Sequence, residues 1–295
     1  MAWRFAASKF KNTTPKVPKK EETIFDVPVG NLSCTNDGIH ASADFLAFHI
    51  EGEGGKLGVL PITAKGRRTR NDIGIIAAHG EQVADFGFLT FADELLATCS
   101  RDEPVKIWKL SRDHSPKLAT EIDVGGGNVI AECLRAHSTA DNILAVGSHG
   151  STYITDISTG KTAVELSGVT DKVQSMDWSE DGKLLAVSGD KGRQIVVYDP
   201  RASMEPIQTL EGHGGMGREA RVLFAGNRLI STGFTTKRIQ EVRAYDTGKW
   251  GAPVHTQEFV STTGVLIPHY DGGRCVVDKN RRGHAPRTRS NGGCR

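Results

Sequence analysis

One short pattern recurs along this chain, an apolar run closing on an aromatic or polar residue: LGVLPI, VKIWK, STYITDI, RQIVVYDP and EVRAYDT. Aligned on the residue after the aromatic or its equivalent, the copies place Pro61, Lys109, Asp156, Asp199 and Asp246 in register, 48, 47, 43 and 47 residues apart. A matching apolar strand precedes each of them: FLAFHI, ELLATCS, NILAVGS, KLLAVSG and NRLISTG. Further upstream, AAHGEQVADFGFL, LSGVTDKVQSMDW and EGHGGMGREARVLF supply a Gly-His or its degenerate form, a loop and another strand. Self-similarity at roughly 40 to 50 residues, with four short strands per unit, is the signature of propeller blades, which bury their faces by packing on one another. The expected class is all-β, with five blades and the beginning of a sixth from Pro253 to Asp271.

Composition agrees and excludes several alternatives. The chain has 34 glycines and no long Ala, Leu, Glu or Lys run at helical spacing, as many tight turns between short strands require. Five cysteines (Cys34, Cys99, Cys133, Cys275 and Cys294) form no CxxC pair, which reads as reduced thiols rather than a disulfide framework. Cys133 and His137 lack the second pair that a zinc site needs, so no metal or other cofactor is expected. The N-terminus MAWRFAASKFKNTTPKVPKK has no apolar signal core, and no window approaches the ~18 apolar residues of a membrane span. A soluble, cytoplasmic chain is expected. Net charge is +2, with a local +5 in residues 271–295, so the first 270 residues sum to −3. That balance speaks against nucleic acid as a partner.

In repeats of this kind a loop histidine, a Ser or Thr, a turn Asp and a Trp are expected to share hydrogen bonds, because a buried imidazole and indole need partners. His79, Thr98, Asp102 and Trp108 make one complete set, read as structural. A buried indole predicts a loss of about 3–5 kcal/mol for Trp108→Ala. His213 and Ser231 form a partial set reaching toward Tyr245, and the fourth unit has Val169 where a histidine would sit. Gly212–Gly217 matches G-x-G-x-x-G, yet a strand-like REARVLF follows it and Lys237 stands where a Rossmann acid belongs. The GGGN at 125–128 lacks the Gly-Lys-Ser/Thr of a P-loop. With no G-x-S-x-G elbow and no marked Ser, His and Asp set, catalytic residues are expected to be absent. A propeller enzyme is the reading of a different kind, to be tested by turnover of ester, glycan and peptide substrates.

The segments SKFKNT at 8–13, DKGRQIVVYDPR, LISTGFTTKRIQEVRAYD and GVLIPHYD resemble those of coronins in order and spacing. The chain resembles the WD-repeat coronin family over residues 3–271, and the basic TTPKVPKKEE and first-blade LGVLPI are most similar to the long, tandem-propeller branch. This resemblance implies binding to filamentous actin, roles in cytoskeletal organisation and cell polarity, and, for the long branch, traffic around the Golgi. An adaptor at Golgi or endosomal membranes with little direct actin affinity is the competing reading. Two departures stand out. Pro28 occupies the place where short coronins carry a filament-binding arginine, and after PHYD the alternation of further blades gives way to a basic tail. The chain thus looks like a truncated or alternatively ended propeller whose incomplete ring would leave apolar faces open to association.

The functional signal is local charge. KVPKK and KGRRTR contribute Lys16, Lys19, Lys20, Arg67, Arg68 and Arg70, a set suited to the acidic surface of actin filaments or membranes. The plainer alternative is a solvated loop. The expected organisation is a basic segment and velcro-like strand over 1–30, blades over 31–271, and a disordered basic tail over 272–295.

Overall fold

The computed structural model describes residues 18–30, 36–102, 104–111, 115–127, 129–215, 219–259, 264–270, 272 and 275–279. Among these, five four-stranded sheets succeed one another along the chain, each an antiparallel meander. Blade one is Ile39–Ala41, Phe45–His49, Gly55–Pro61 and Gly74–His79. Blade two is Val83–Leu89, Ala92–Ser100, Val105–Lys109 and Lys117–Ile122. Blade three runs through Cys133–Ala136, Ile143–Gly147, Thr152–Asp156 and Lys161–Leu166. Blade four comprises Ser175–Trp178, Leu185–Gly189, Gln194–Tyr198 and Gln208–Glu211, and blade five Arg221–Ala225, Arg228–Phe234, Gln240–Asp246 and His255–Phe259. The fold is an all-β WD-repeat propeller.

The sixth unit begins later than the repeat pattern suggests. His255–Phe259 pairs with the strand Gln240–Asp246 as the outer edge of blade five, with His255 opposite Ala244. Its sequence, HTQEF, is polar and mostly exposed, as an outer edge permits, so apolar patterning gave no sign of it. The sixth sheet is the hairpin of Leu266–Tyr270 with Cys275–Lys279, so a strand occupies part of the segment expected to be a disordered tail from 272. Residues 280–295 lie outside the described residues, as do SKFKNT and Lys16. Of the expected velcro segment, Ile24–Phe25 pairs in parallel with Gly66–Arg67 at the margin of blade one.

The core lies in the seams between blades. Ala97, Cys99 and Ile107 of blade two pack with Leu134, Leu144 and Val146 of blade three. Val173 joins Ala145, Ile154 and Leu166 of blade three to Val187 and Val196 of blade four. Full burial of each such Val, Leu or Ile side chain stabilises by roughly 1.5–3 kcal/mol. Burial also pushes the Cys99 and Cys133 thiols up, leaving them unionised and unreactive. Cys133 Sγ approaches the Val173 carbonyl, whereas the His137 ring packs on Trp178 with centroids 4.3 Å apart.

The first strand of each blade lies beside the first strand of the next. Side chains bridge these inner edges, whose N–H groups would otherwise be orphaned. Asp85 accepts from the Leu134 N–H at 2.9 Å and Asp177 from the Phe224 N–H at 2.8 Å. Gln174 and Ser175 accept in the same way from the Ala220 and Val222 N–H groups.

Candidate functional site

The two basic stretches, separated by more than forty residues in sequence, meet at one edge of blade one. Phe25 pairs with Arg67; Gly66 N–H donates to the Thr23 carbonyl at 2.8 Å, and Arg68 N–H to the Phe25 carbonyl at 3.0 Å. This two-rung ladder fixes Lys19 and Lys20 beside the 65–70 loop, and Lys20 Nζ sits 4.7 Å from the centre of the Phe25 ring. Lys19, Lys20, Arg67 and Arg70 are exposed, whereas Arg68 is half-buried. Arg67 Nε makes an ion pair with Asp26 at 2.9 Å, a link between the two segments that offsets part of the positive charge. Asp72 closes the loop by accepting from the Thr69 N–H and hydroxyl, bonds that hold its carboxyl below the usual range. Pro28 faces the first blade, its carbonyl accepting from the Glu51 N–H.

In the structural set of blade two, His79 and Trp108 converge on the Thr98 hydroxyl, while Asp102 is held by other donors. Thr98 Oγ1 lies 2.9 Å from His79 Nε2 and accepts from the Trp108 indole at 3.1 Å. Asp102 is held by the Ser100 hydroxyl and the Glu81 N–H. The indole is half-buried rather than enclosed, because Trp108 sits near the outer part of the sheet with Leu118 as its cross-strand neighbour.

In blade five His213 bridges Ser231 Oγ (2.9 Å from Nε2) and Glu241 Oε1 (2.9 Å from Nδ1). Arg243 holds the same carboxylate at 3.0 Å and donates to the Gly212 carbonyl. Tyr245 takes no part in this triplet: its hydroxyl donates to the Glu211 carbonyl at 3.0 Å. Sequence spacing did not reveal Glu241, because it lies across the sheet from its partner, on the strand after the one bearing Ser231. The order Ser, His, carboxylate is that of an acyl-transfer triad. Ser231 is 0% exposed and His213 and Glu241 2% each, so no substrate carbonyl reaches the hydroxyl, and the triplet ties loop to sheet.

Blade four performs the same tie without polar atoms. In cross-strand register Leu185 faces Tyr198 as Leu96 faces Trp108 and Leu229 faces Tyr245, which sets Val187 in the place of Thr98 and Ser231. Val187 and Val169 belong to one buried cluster, so both members of the histidine–hydroxyl pair are replaced together by valine. Tyr198 keeps its bond to the loop, donating to the Ser167 carbonyl at 2.8 Å.

Asn36, Asp37, His40, Asp85, Arg135 and Arg221 surround a small polar cavity of about 30 Å³ between the inner strands. Burial pushes Asp85 up to about 7 and lowers His40 to about 4. At Asp37 burial opposes ionisation, but the Arg221 and Arg135 guanidiniums prevail and hold the carboxyl below its usual value. Arg135 pairs with Asp177 at 3.1 Å, and Arg221 reaches the Asn36 carbonyl at 3.4 Å, joining blade five to the segment entering blade one. The space suits a water molecule rather than a substrate. An Asp set before an aromatic in two first strands, VADF and SMDW, was the sequence signal for this cluster.

Comparisons with known proteins address the whole chain. A family model described as a domain of unknown function, DUF1899, matches residues 3–67, and the WD domain, G-beta repeat model matches residues 160–199. The first of these spans both sides of the Phe25–Arg67 ladder. The chain is 31% identical over 276 residues to Coronin-7 of Bos taurus, covering 91% of this chain and 29% of that protein. It is 27% identical to the Coronin-like protein crn1 of Schizosaccharomyces pombe, covering 94% of this chain and 47% of that one. The WD40 domain of Toxoplasma gondii coronin shares the fold, with a TM-score of 0.78 at 23% identity over 90% of this chain and 69% of that one. The chain thus spans under a third of the length of the first relative and about half of the second.

Proposed function

We propose that this chain, similar to coronins over about nine-tenths of its length, is a non-enzymatic WD-repeat scaffold that docks on filamentous actin and acts in cytoskeletal organisation and cell polarity. The observation that carries this reading is the joining of the Lys19–Lys20 segment to the Arg67–Arg70 loop on one exposed edge. Clustered cations steer and hold an acidic filament over about one Debye length, ~8 Å at physiological salt. The working location is then the cytoplasm, associated with the cytoskeleton. Arg68 contributes through its backbone and a half-buried side chain, so the docking charges are Lys19, Lys20, Arg67 and Arg70.

Cosedimentation with actin filaments tests the proposal. The protein should pellet with filaments at low salt and progressively leave the pellet as salt rises. Lys20→Ala/Arg67→Ala/Arg70→Ala should weaken binding and flatten that salt dependence, with Lys16 added in a second variant. If the parent stays in the supernatant at micromolar filament, actin docking fails, and the adaptor role at Golgi or endosomal membranes becomes the reading to pursue. If the triple variant binds like the parent, the basic edge is solvated surface only.

A further inference from the structure

Among the described hydroxyls, that of Thr69 stands in the densest run of positive charge. The 65–72 loop of blade one holds Lys65, Arg67, Arg68 and Arg70 against a single acid, Asp72. Gly66–Arg67 is a strand, and Thr69 prolongs it in extended backbone at φ −99° and ψ 170°. Arg67, Thr69 and Arg70 are exposed, whereas Arg68 is half-buried. A protein kinase grips its acceptor hydroxyl on an extended segment, and acidic residues in the enzyme's groove select cations on either side of it. The three-residue turn Arg70–Asp72 that follows buries no side chain, so opening it to fit such a groove breaks no core packing.

Spacing along the chain would choose other hydroxyls. Ser138 follows Arg135 by three residues, yet its hydroxyl donates to the Ser179 carbonyl at 2.7 Å, and Arg135 is held by Asp177 and the Met176 carbonyl. Ser203 is exposed two residues after Arg201, but Asp199 pairs with that arginine at 3.8 Å and Glu205 stands two residues beyond the hydroxyl. Of the three, Thr69 combines exposure, extended backbone and cations on both sides. Its hydroxyl donates to Asp72 Oδ2 at 2.7 Å, the bond that closes the loop.

We propose that Thr69 is a phosphorylation site for a basophilic serine/threonine kinase and that the phosphate switches off the basic edge of blade one. In the transfer, Thr69 Oγ1 attacks the γ-phosphorus of a nucleoside triphosphate. The new O–P bond forms as the bond to the β-phosphate oxygen breaks; the nucleoside diphosphate leaves with that electron pair, and the hydroxyl proton passes to the kinase's base. About two negative charges then stand among Arg67, Arg68 and Arg70 and offset most of the charge of a loop with four cations and one acid. The hydroxyl's bond to Asp72 is lost and like charges face each other, so the Arg70–Asp72 turn opens. The switch rests on the reading of this edge as a docking surface; the modification itself does not.

The test treats the full chain with Mg-ATP and the catalytic domain of a basophilic kinase selective for cations on both sides of its acceptor, with peptide mapping by mass spectrometry as the readout. Phosphate should appear on Thr69, and Arg67→Ala/Arg68→Ala should slow its transfer about tenfold, through loss of charge-assisted contacts to the enzyme. Thr69→Asn removes the acceptor but keeps a capping oxygen, so its unfolding midpoint should match that of the parent. The treated parent should leave a heparin column at lower salt than treated Thr69→Asn, and should bind actin filaments about tenfold more weakly than it. Thr69 left unmodified overturns the proposal, as does a treated parent that elutes from heparin together with treated Thr69→Asn. If neither untreated protein pellets with filaments, the actin reading fails by itself, and the mapping and heparin results still decide whether Thr69 is the switch.

Discussion

In blade two the loop histidine His79 and the Trp108 indole meet on one neutral hydroxyl, whereas in blade five His213 lies between a hydroxyl and a buried carboxylate that Arg243 also holds. Blade four replaces the pair with Val169 and Val187. All three arrangements fasten the incoming loop to the second strand of the following sheet. The lesson is that the blade fixes a geometry, not a residue set. A polar tie survives where every member has a partner, and an apolar tie serves equally when both members change together.

The largest effect is expected from breaking the charged tie. Glu241→Ala leaves His213 and Arg243 buried without their carboxylate and should cost about 3–5 kcal/mol in denaturant unfolding. A loss below about 1 kcal/mol would mean that the ion pair is not formed in solution. Trp108→Ala, expected from sequence to cost the full price of a buried aromatic, should instead cost about 2–3 kcal/mol, because the ring is half-exposed and Thr98 retains His79. Removal of Thr98 itself, which strands both partners, should exceed it.

The apolar tie gives a sharper comparison. Val187→Ser alone places a buried hydroxyl opposite a methyl group and should cost about 1–3 kcal/mol; Val169→His alone should be destabilising as well. The double variant should recover about 1 kcal/mol or more relative to the sum, read in a double-mutant cycle. Strict additivity would show that the two positions do not meet.

The smallest effect is in pH. Burial lowers the folded pKa of His213, despite the opposing pull of Glu241, so below about 6.5 the unfolded chain takes up a proton that the folded chain resists. Glu241 is also held below the usual glutamate value of 4.5: burial opposes this, but the bonds to His213 and Arg243 outweigh it. Stability contributed by both groups is present above these values and declines as pH falls from about 6.5 through 4.5, by at most about 1.4 kcal/mol per pH unit for each titrating group. His213→Asn should flatten the upper part of that decline. Asp85, whose folded value is raised by burial, acts oppositely, its contribution falling as pH rises from 3.8 toward about 7. A profile unaltered in the His213 variant would assign the acid sensitivity to other groups.

The sequence by itself determined the repeat and its strands, because a period-two apolar pattern recurring every 43 to 48 residues has few ways to bury its faces. It also determined the pairing of His79 and Trp108 with Thr98, since a recurring polar set inside an apolar repeat must satisfy its own hydrogen bonds. Only the tertiary structure decided what depends on contacts between distant segments. The polar strand His255–Phe259 is an edge by pairing rather than by hydropathy, and Glu241 reaches His213 across a sheet. Lys20 is brought to the Arg67 loop by a two-residue ladder, and the Gly212–Gly215 segment bonds to the backbones of two different blades. Such neighbours are chosen by how blades and loops stack, a three-dimensional constraint that leaves no periodic trace along the chain.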